Sequence, residues 1–134
     1  MLKQLGLTAS IEQLILDYDE ETPLFFSSEL YNIDTALSDD ASLNLYRCIQ
    51  EILNNIIKHA QATSVSVKIE KVMNAIDISI SDNGIGFDAK TKRNQNSLGL
   101  KTIAERIRIL HGQLQIKSQP NKGTTINVQI STPS

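Results

Sequence analysis

The sequence of 134 residues has one cysteine, no tryptophan and no long apolar run. Because Cys48 has no second cysteine with which to form an internal disulfide, a reducing compartment is expected. No apolar stretch approaches the roughly 18 residues that a membrane-spanning helix needs, and no signal peptide opens the chain. These absences predict a cytoplasmic domain that makes no contact with a membrane.

A surplus of positive charge is also missing. Thirteen lysines and arginines face fifteen acidic residues, for a formal net charge of -2, and neutralising nucleic-acid phosphates needs a basic surplus. Nucleic acid is therefore excluded as the main partner. Hydrophobic residues make up 40% and charged residues 21% of the chain, which is typical of a globular protein. The length fits a single domain, 1–134, that folds without a disulfide or a structural metal.

Apolar residues at helical spacing predict two helices in the first half of the chain. The first runs to Asp19 with Thr8 or Ser10 as its cap, and a short strand follows at 24–30. The second and clearest helix starts near Ser38 and carries one continuous apolar stripe, made of Leu45, Ile49, Ile52, Leu53, Ile56 and Ala60.

Beyond the long helix the apolar period changes to two. Alternation at 65–69 and again at 76–80 predicts a hairpin, and two more strands close the chain. An almost entirely polar stretch, 88–97, is predicted to be a surface loop, and a third helix, 100–110, to end at Gly112 as its C-cap. The predicted fold is an α/β (α+β) two-layer sandwich, in which helices cover one face of a mixed, mostly antiparallel sheet.

Polar residues along the long helix form the first candidate site. Glu51, Asn55 and His59 lie at i, i+4 and i+8, in one stripe that borders the apolar face, and Lys58 is on the same side. A carboxylate, an amide oxygen and an ammonium group suit a hydrated Mg²⁺ ion and a polyphosphate. The competing interpretation is a solvated helix face with an ordinary pattern of charges.

A second candidate follows directly on a predicted strand, at Asp82-Asn83-Gly84-Ile85-Gly86. Two glycines two residues apart permit a tight turn and a close approach of the backbone to a ligand. An acidic side chain at the end of a strand can accept a hydrogen bond from an exocyclic amine such as adenine N6. A plain Asn-Gly turn is the alternative.

Two further segments contain glycines. The polar loop leads into a helix start at Leu98-Gly99-Leu100, where unpaired N–H groups and the helix dipole attract anions, and the loop supplies basic side chains at Lys90, Lys92 and Arg93. The last strand opens at 123–125 with Gly-Thr-Thr, which by itself indicates only a turn glycine before strand-forming residues.

In this order, the four segments resemble the conserved boxes of one family, the catalytic ATP-binding domain of two-component sensor histidine kinases. Residues 51–60 resemble its N box, 82–87 its first glycine box, 97–100 its second and 123–125 its last. The resemblance covers residues 40–131 and implies the Bergerat ATP-binding fold, which gyrase B and MutL share. It also implies an ATP-dependent protein-histidine kinase activity, with ATP and Mg²⁺ as ligands.

The resemblance implies a role for each candidate residue. Asn55 ligates Mg²⁺, Glu51 organises the water shell of the metal or acts as a base, and Lys58 and His59 face the phosphates. Asp82 accepts a hydrogen bond from adenine N6. Gly84 and Gly86 make room for the base and sugar. Thr124 supports the adenine end through Asp82 or a water. The phosphate end of a lid is lined by Leu98, Gly99 and Leu100.

Finer similarities point to one branch of the family. Residues 45–51, 59–62 and 104–106 are similar to kinases whose response regulators carry helix-turn-helix output domains of the LuxR type. The opening at 5–7 resembles the segment that follows the phosphoacceptor helices, so 1–21 are expected to lead from a dimerisation and phosphoacceptor domain outside this chain. The resemblance leaves open whether the parent protein is anchored in the cell membrane.

Two features depart from a complete kinase. Ser97 stands where the family usually has a glycine, which leaves the lid and its phosphate contact open. The chain has two histidines, His59 and His111, and neither lies in a plausible acceptor helix. We therefore expect transfer of the ATP γ-phosphate to a histidine on another domain, with little autophosphorylation of this chain alone.

Two rival functions share the candidate residues. A serine/threonine kinase of the anti-sigma-factor type has the same fold and is complete at about this length. A nucleotide-dependent interaction module without transfer activity is the other alternative, and Ser97 is its only support in the sequence. Acid-stable phosphate on a partner protein would distinguish the first rival from a histidine kinase.

Overall fold

The computed structural model describes residues 5–86 and 100–132 of the chain. Along the chain the elements follow the predicted order: α1 (Leu7–Glu21), β1 (Phe25–Leu30), α2 (Asp39–His59), β2 (Ser64–Val72), β3 (Ala75–Asp82), α3 (Leu100–Ile109), β4 (Gly112–Ser118) and β5 (Thr124–Ser131). The loop predicted at 88–97 lies outside the described residues. Within the described part of the chain, no helix combines the length and apolar character that crossing a membrane requires.

All five strands form one sheet in the order β1-β2-β3-β5-β4. β1 pairs with β2 in parallel, and the other three pairs are antiparallel. The register aligns Val67 with Ile80, and Ile78 with Val128, so the apolar side chains of three central strands share one face. The three helices of residues 5–86 and 100–132 all contribute buried side chains to the same core. The predicted two-layer sandwich with a mixed, mostly antiparallel sheet is therefore confirmed.

The long helix α2 begins and ends as its sequence indicates. Ser38 is the N-cap, and its Oγ accepts a hydrogen bond of 3.2 Å from the Ala41 N–H. Two aspartates in the first turn and Lys58 and His59 in the last turn both oppose the partial charges of the helix dipole. The buried side chains follow the predicted stripe from Leu45 to Ile56. Because the apolar face of α2 is packed on the core, the orientation of the polar residues that border this face is fixed as well.

The N-terminus of α1 differs from the prediction. The N-cap is Gly6, with φ 85°, and it makes no side-chain cap. Instead, the Thr8 N–H donates to Asp34 Oδ1 at 2.8 Å, and Thr8 Oγ1 accepts from the Ile33 N–H at 2.9 Å. Ser10 is buried in the interior of the helix. The prediction that Thr8 or Ser10 caps this helix was wrong, because the carboxylate of Asp34, from a distant loop, accepts the hydrogen bond from the first turn.

The end of α3 also differs. The left-handed residue that ends this helix is His111, with φ 58°, and its N–H donates to the Arg108 carbonyl at 3.0 Å. Gly112, predicted as the C-cap, is the first residue of β4. A Cβ atom at this position would lie 2.9 Å from Ile107 Cγ2 and 3.0 Å from the Gln129 carbonyl oxygen. The glycine is therefore needed for close packing of the strand on the helix, and the cap prediction was wrong.

Candidate functional site

The glycine-containing turn after β3 packs on the C-terminal end of α2. The Ile85 N–H donates to the Ala60 carbonyl at 2.8 Å. Gly84 is buried, and a Cβ atom there would lie 2.1 Å from the same Ala60 oxygen. Any side chain at this position would collide with the backbone that ends α2. The structure thus brings the first glycine segment and the end of the helix with the N box together.

Asp82 is the last residue of β3 and pairs with Thr124 of β5. Its Oδ1 atom accepts a hydrogen bond of 2.8 Å from the Gly84 N–H, and the Thr124 N–H is a second backbone donor to the carboxylate. Burial raises the pKa of Asp82, and these two hydrogen bonds oppose the rise without cancelling it. Two amides therefore fix the direction of a half-buried carboxylate at the end of the strand.

The turn between β4 and β5 closes over the same segment. Gly86 has φ 64°, and a Cβ atom there would lie 2.1 Å from the Gln119 carbonyl oxygen. Gly123 has φ 75°, and its Cβ would lie 2.2 Å from the Asp82 carbonyl oxygen. The Asn121 N–H donates to the Ile85 carbonyl. Both positive-φ glycines are needed because the two turns touch through their backbones.

Asn83 has a structural role that the turn pattern of the sequence did not reveal. Its Oδ1 atom accepts hydrogen bonds of 2.9 Å from the N–H groups of both Thr63 and Ser64, and its Nδ2 donates to Thr63 Oγ1 at 2.8 Å. These contacts join the α2–β2 connection to the exit of β3. The preference of asparagine side chains for nearby backbone groups was a signal, but the segment alone indicated only a turn.

Thr124 meets Asp82 through its backbone. Its hydroxyl instead lies 2.7 Å from Ser118 Oγ, and Ser118 Oγ donates to the Gly123 carbonyl at 3.1 Å. Thr125, on the opposite face of the strand, forms a 2.8 Å hydrogen bond with Ser81 Oγ. The hydroxyl of Thr124 thus anchors the β4–β5 turn, while its amide holds the carboxylate of Asp82.

On α2, the predicted polar stripe changes in exposure along its length. Glu51 and Asn55 are partly buried, while Lys58 and His59 are exposed in the last turn. Residues 5–86 and 100–132 contain no group of three or more His, Cys, Asp or Glu side chains that would hold a metal ion. A single amide oxygen from the protein is compatible with Mg²⁺, which commonly takes one or two protein oxygens and completes its shell with water and phosphate.

Glu51 has a partner that the sequence analysis did not assign to the site. Its Oε2 atom lies 3.1 Å from Arg106 Nε, and about a third of each side chain is exposed. Arg106 belongs to the segment 104–106, which is similar to one branch of the family. Leu100, at the start of α3, is buried. Leu98 and Gly99, predicted to line the same end of the site, lie outside the described residues.

A surface cavity of about 550 Å³ lies elsewhere, on the open face of the sheet. Its lining residues come from β3, β4 and β5, and they are Asp77, Gln113, Leu114, Gln115, Asn127 and Gln129. Asp77 is five residues before Asp82 on β3, which corresponds to roughly 16 Å along an extended strand. We place the candidate site at the end of β3 because the carboxylate, the glycines and the end of α2 converge there.

The helix-covered sheet places a carboxylate and crowded glycines at the end of one strand, beside the end of a long helix. Residues 40–134 match the family model described as histidine kinase-, DNA gyrase B-, and HSP90-like ATPase. The chain belongs to this family. The matched range begins at the second residue of α2 and includes β3 and β5.

Curated relatives of the chain are sensor histidine kinases. The chain is 36% identical to the sensor histidine kinase ComP of Bacillus subtilis over 131 residues, which cover 97% of the chain and 17% of ComP. It is also 36% identical to the histidine-protein kinase/phosphatase DegS of Brevibacillus brevis, over 96% of the chain and 33% of DegS. The chain thus spans about a sixth to a third of these relatives.

Solved histidine kinases share the fold. The histidine kinase domain of a blue-light activated kinase from Erythrobacter litoralis matches with a TM-score of 0.79 at 16% identity, over 93% of this chain and 60% of that one. Acinetobacter baumannii AdeS matches with a TM-score of 0.76 at 18% identity, over 96% of this chain and 64% of that one. At these identities the comparison establishes the architecture alone.

Proposed function

We propose that this chain is the catalytic ATP-binding domain of a sensor histidine kinase, which transfers the γ-phosphate of ATP to a histidine on a separate dimerisation domain. The observation that carries the proposal is the carboxylate of Asp82, which the Gly84 and Thr124 amides hold at the end of β3. The family of the chain and the names of its relatives support the same function.

Asp82 has the chemistry to recognise adenine. An exocyclic amine donates a hydrogen bond, and an ionised carboxylate is a strong acceptor for it. Because two backbone amides orient the side chain, little conformational entropy is lost when a base binds. A Cβ atom at Gly84 would lie 2.9 Å from Asp82 Oδ1, so the glycine leaves this carboxylate uncrowded. In the proposal, Asp82, Gly84 and Gly86 bind the base and make room for the sugar.

The last turns of α2 would hold the phosphates. Asn55 would offer an amide oxygen to Mg²⁺, and the exposed side chain of Lys58, with His59 beside it, would face the phosphate oxygens. Bound Mg²⁺ would neutralise charge that develops on the transferred group. Phosphoryl transfer depends mainly on positioning and charge neutralisation, so this site does not require a covalent nucleophile. Glu51, Leu98, Gly99 and Leu100 complete the proposed phosphate end.

The proposal extends to the parent protein. Residues 1–21 would lead from a dimerisation and phosphoacceptor domain into this one, where α1 packs on β1 and α2. The final acceptor would be a response regulator with a helix-turn-helix output domain. We place the domain in the cytoplasm, whether or not its parent is anchored in the cell membrane.

Calorimetric titration tests the nucleotide site. The chain should bind both ADP and a non-hydrolysable ATP analogue, and Mg²⁺ should strengthen the binding of the triphosphate. Asp82→Ala should weaken both by about tenfold or more, because a hydrogen bond to a charged group is worth about 1.5–3 kcal/mol. Asp77→Ala is the matched control, since it removes an aspartate from the same strand and should leave the affinity unchanged. Unchanged affinity in a folded Asp82→Ala variant would remove Asp82 from the site.

Transfer needs a separate test. Incubated alone with γ-labelled ATP, the chain should gain no stable label. With an added dimerisation and phosphoacceptor domain, acid-labile phosphate should form on that domain. Acid-stable phosphate would instead indicate a serine/threonine kinase, and nucleotide binding without transfer to any acceptor would favour an interaction module.

A further inference from the structure

Arg106 joins α3 to α2 through three polar contacts. Its Nε atom donates to Glu51 Oε2 at 3.1 Å, and its Nη1 atom donates to Asn44 Oδ1 at 3.3 Å. The Asn44 Nδ2 atom in turn donates to the carbonyl of Arg106 at 3.4 Å. A single residue of α3 therefore contacts two side chains of α2 with both its guanidinium group and its backbone.

The two partners of Arg106 lie on one face of α2. Asn44 and Glu51 are seven residues apart, which is two helical turns or roughly 10 Å of helix axis. Cys48 lies between them and is buried, and burial with the charge of Glu51 raises the pKa of its thiol to about 12. A planar guanidinium group donates in several directions, whereas a lysine ammonium group acts as a compact point charge. Arginine is thus the side chain that can hold both partners.

This face of α2 continues into the candidate site. Asn55 follows Glu51 by one turn and lies in the same stripe, and it is the residue proposed to bind Mg²⁺. On the other helix, Leu100 is six residues before Arg106 and belongs to the proposed phosphate end. The contacts of Arg106 therefore connect the two helices that contribute to that end. They also engage the carboxylate of Glu51, which would have to leave a partly buried ion pair to act as a base.

We propose that Arg106 is a positioning residue for the phosphate end of the nucleotide site. Its guanidinium group fixes the carboxylate of Glu51 and keeps α3 at one distance from α2, so Asn55 and Leu100 hold one spacing for the metal-bound phosphates. The inference rests on the proposed function. Arg106 itself acts through Glu51 and the helix spacing and does not touch the nucleotide.

Titration of Arg106→Ala tests this role. Its affinity for the Mg²⁺-bound ATP analogue should fall by about tenfold, since small misplacements of binding groups have large effects. Its affinity for ADP without Mg²⁺ should change by no more than about threefold, because Asp82 and the glycines still hold the base. Arg108→Ala removes an exposed arginine of the same helix and should bind both ligands normally. The affinity of Arg106→Lys for the Mg²⁺-bound ATP analogue should lie between those of Arg106→Ala and the unaltered chain.

A double-mutant cycle identifies the route of the effect. If Arg106 acts through Glu51, Arg106→Ala should lose much less affinity in a Glu51→Gln background than in the unaltered chain. An equal loss in both backgrounds would overturn the proposal, as would equal losses for the Mg²⁺-bound triphosphate and Mg²⁺-free ADP. Should Arg106→Ala not fold, Arg106→Gln and Arg106→Lys carry the same comparison. An unaltered chain that binds neither nucleotide would contradict the proposed function itself.

Discussion

The two ends of β3 differ in how much of the surrounding structure they contact. The strand begins after a hairpin turn, where Met73 is 85% exposed and Lys71 Nζ donates to the Met73 carbonyl at 3.2 Å. It ends at a turn in which Gly84 touches the end of α2 and Gly86 touches the β4–β5 connection. The first turn joins β2 to β3 and accepts one hydrogen bond, from the Thr132 N–H just after β5, while the second joins a helix and three strands.

This difference indicates where sequence is constrained by tertiary contacts. An exposed turn needs only a backbone conformation that suits the hairpin, so many residues are tolerated there. A turn packed against other backbone segments needs glycine wherever a Cβ atom would collide with them. The carboxylate of Asp82 is held in direction because its turn is packed in this way. The proposed adenine site thus lies at the crowded end of the strand.

The largest expected effect is that of an alanine at the crowded end. Gly84→Ala would place Cβ on the Ala60 carbonyl oxygen, and relieving this overlap should lower the free energy of unfolding by about 3 kcal/mol. Asn74→Ala puts the same residue in the exposed turn and should change stability by less than about 0.5 kcal/mol. Urea unfolding of both variants measures the difference. Equal free energies of unfolding for the two variants would mean that packing does not distinguish the two ends of β3.

Asn83→Ala should have the next largest effect. The substitution removes hydrogen bonds to two backbone N–H groups and to the Thr63 hydroxyl, and should lower the free energy of unfolding by about 1.5 kcal/mol. Asn74→Ala again serves as the control, since it removes an exposed asparagine at the other end of β3. Thermal and urea unfolding report the change. A variant as stable as the control would show that water replaces these bonds without cost.

A smaller gain in stability is expected at the exposed end. Met73 has φ 56°, which is unfavourable for a residue with a side chain. Met73→Gly should relieve this strain. Glycine also makes the unfolded chain more flexible, so folding costs more conformational entropy, and the net rise in the free energy of unfolding should be about 0.5 kcal/mol. Val72→Gly, one residue earlier in the strand, should lower stability instead. Loss of stability in both variants would contradict the strain at Met73.

The smallest expected effect is a dependence on pH. Burial raises the pKa of Asp82 in the folded state above its ordinary value of about 3.9. Between these two pKa values the folded chain binds more protons than the unfolded chain. Stability contributed by the protonated carboxyl is therefore present at low pH and is lost as the pH rises through this window. Relative to Asp82→Asn, the unaltered chain should lose stability across it. A difference that stays constant or grows with pH would contradict the raised pKa.

Much of the fold was determined by the sequence itself. The period of the apolar residues identified α2 and the β2–β3 hairpin, because burial of one face imposes a repeat of 3.6 in helices and 2 in strands. The helix start near Ser38 was recognisable because the cap that forms it is local. The order of the four boxes led to the family that the comparisons confirm. These features depend on residues that are close together in the chain.

Tertiary structure alone decided the remaining features, because they join residues that are distant in sequence. The pattern of residues near α1 did not reveal that Asp34 would satisfy its first turn, or that Gly112 would be required by the approach of Ile107. The pairing of Glu51 with Arg106 spans 55 positions, and no local period reports such a contact. Side chains from separate elements meet only when the sheet and helices have packed, and that packing fixed the partners of Asp82, Asn83 and Glu51.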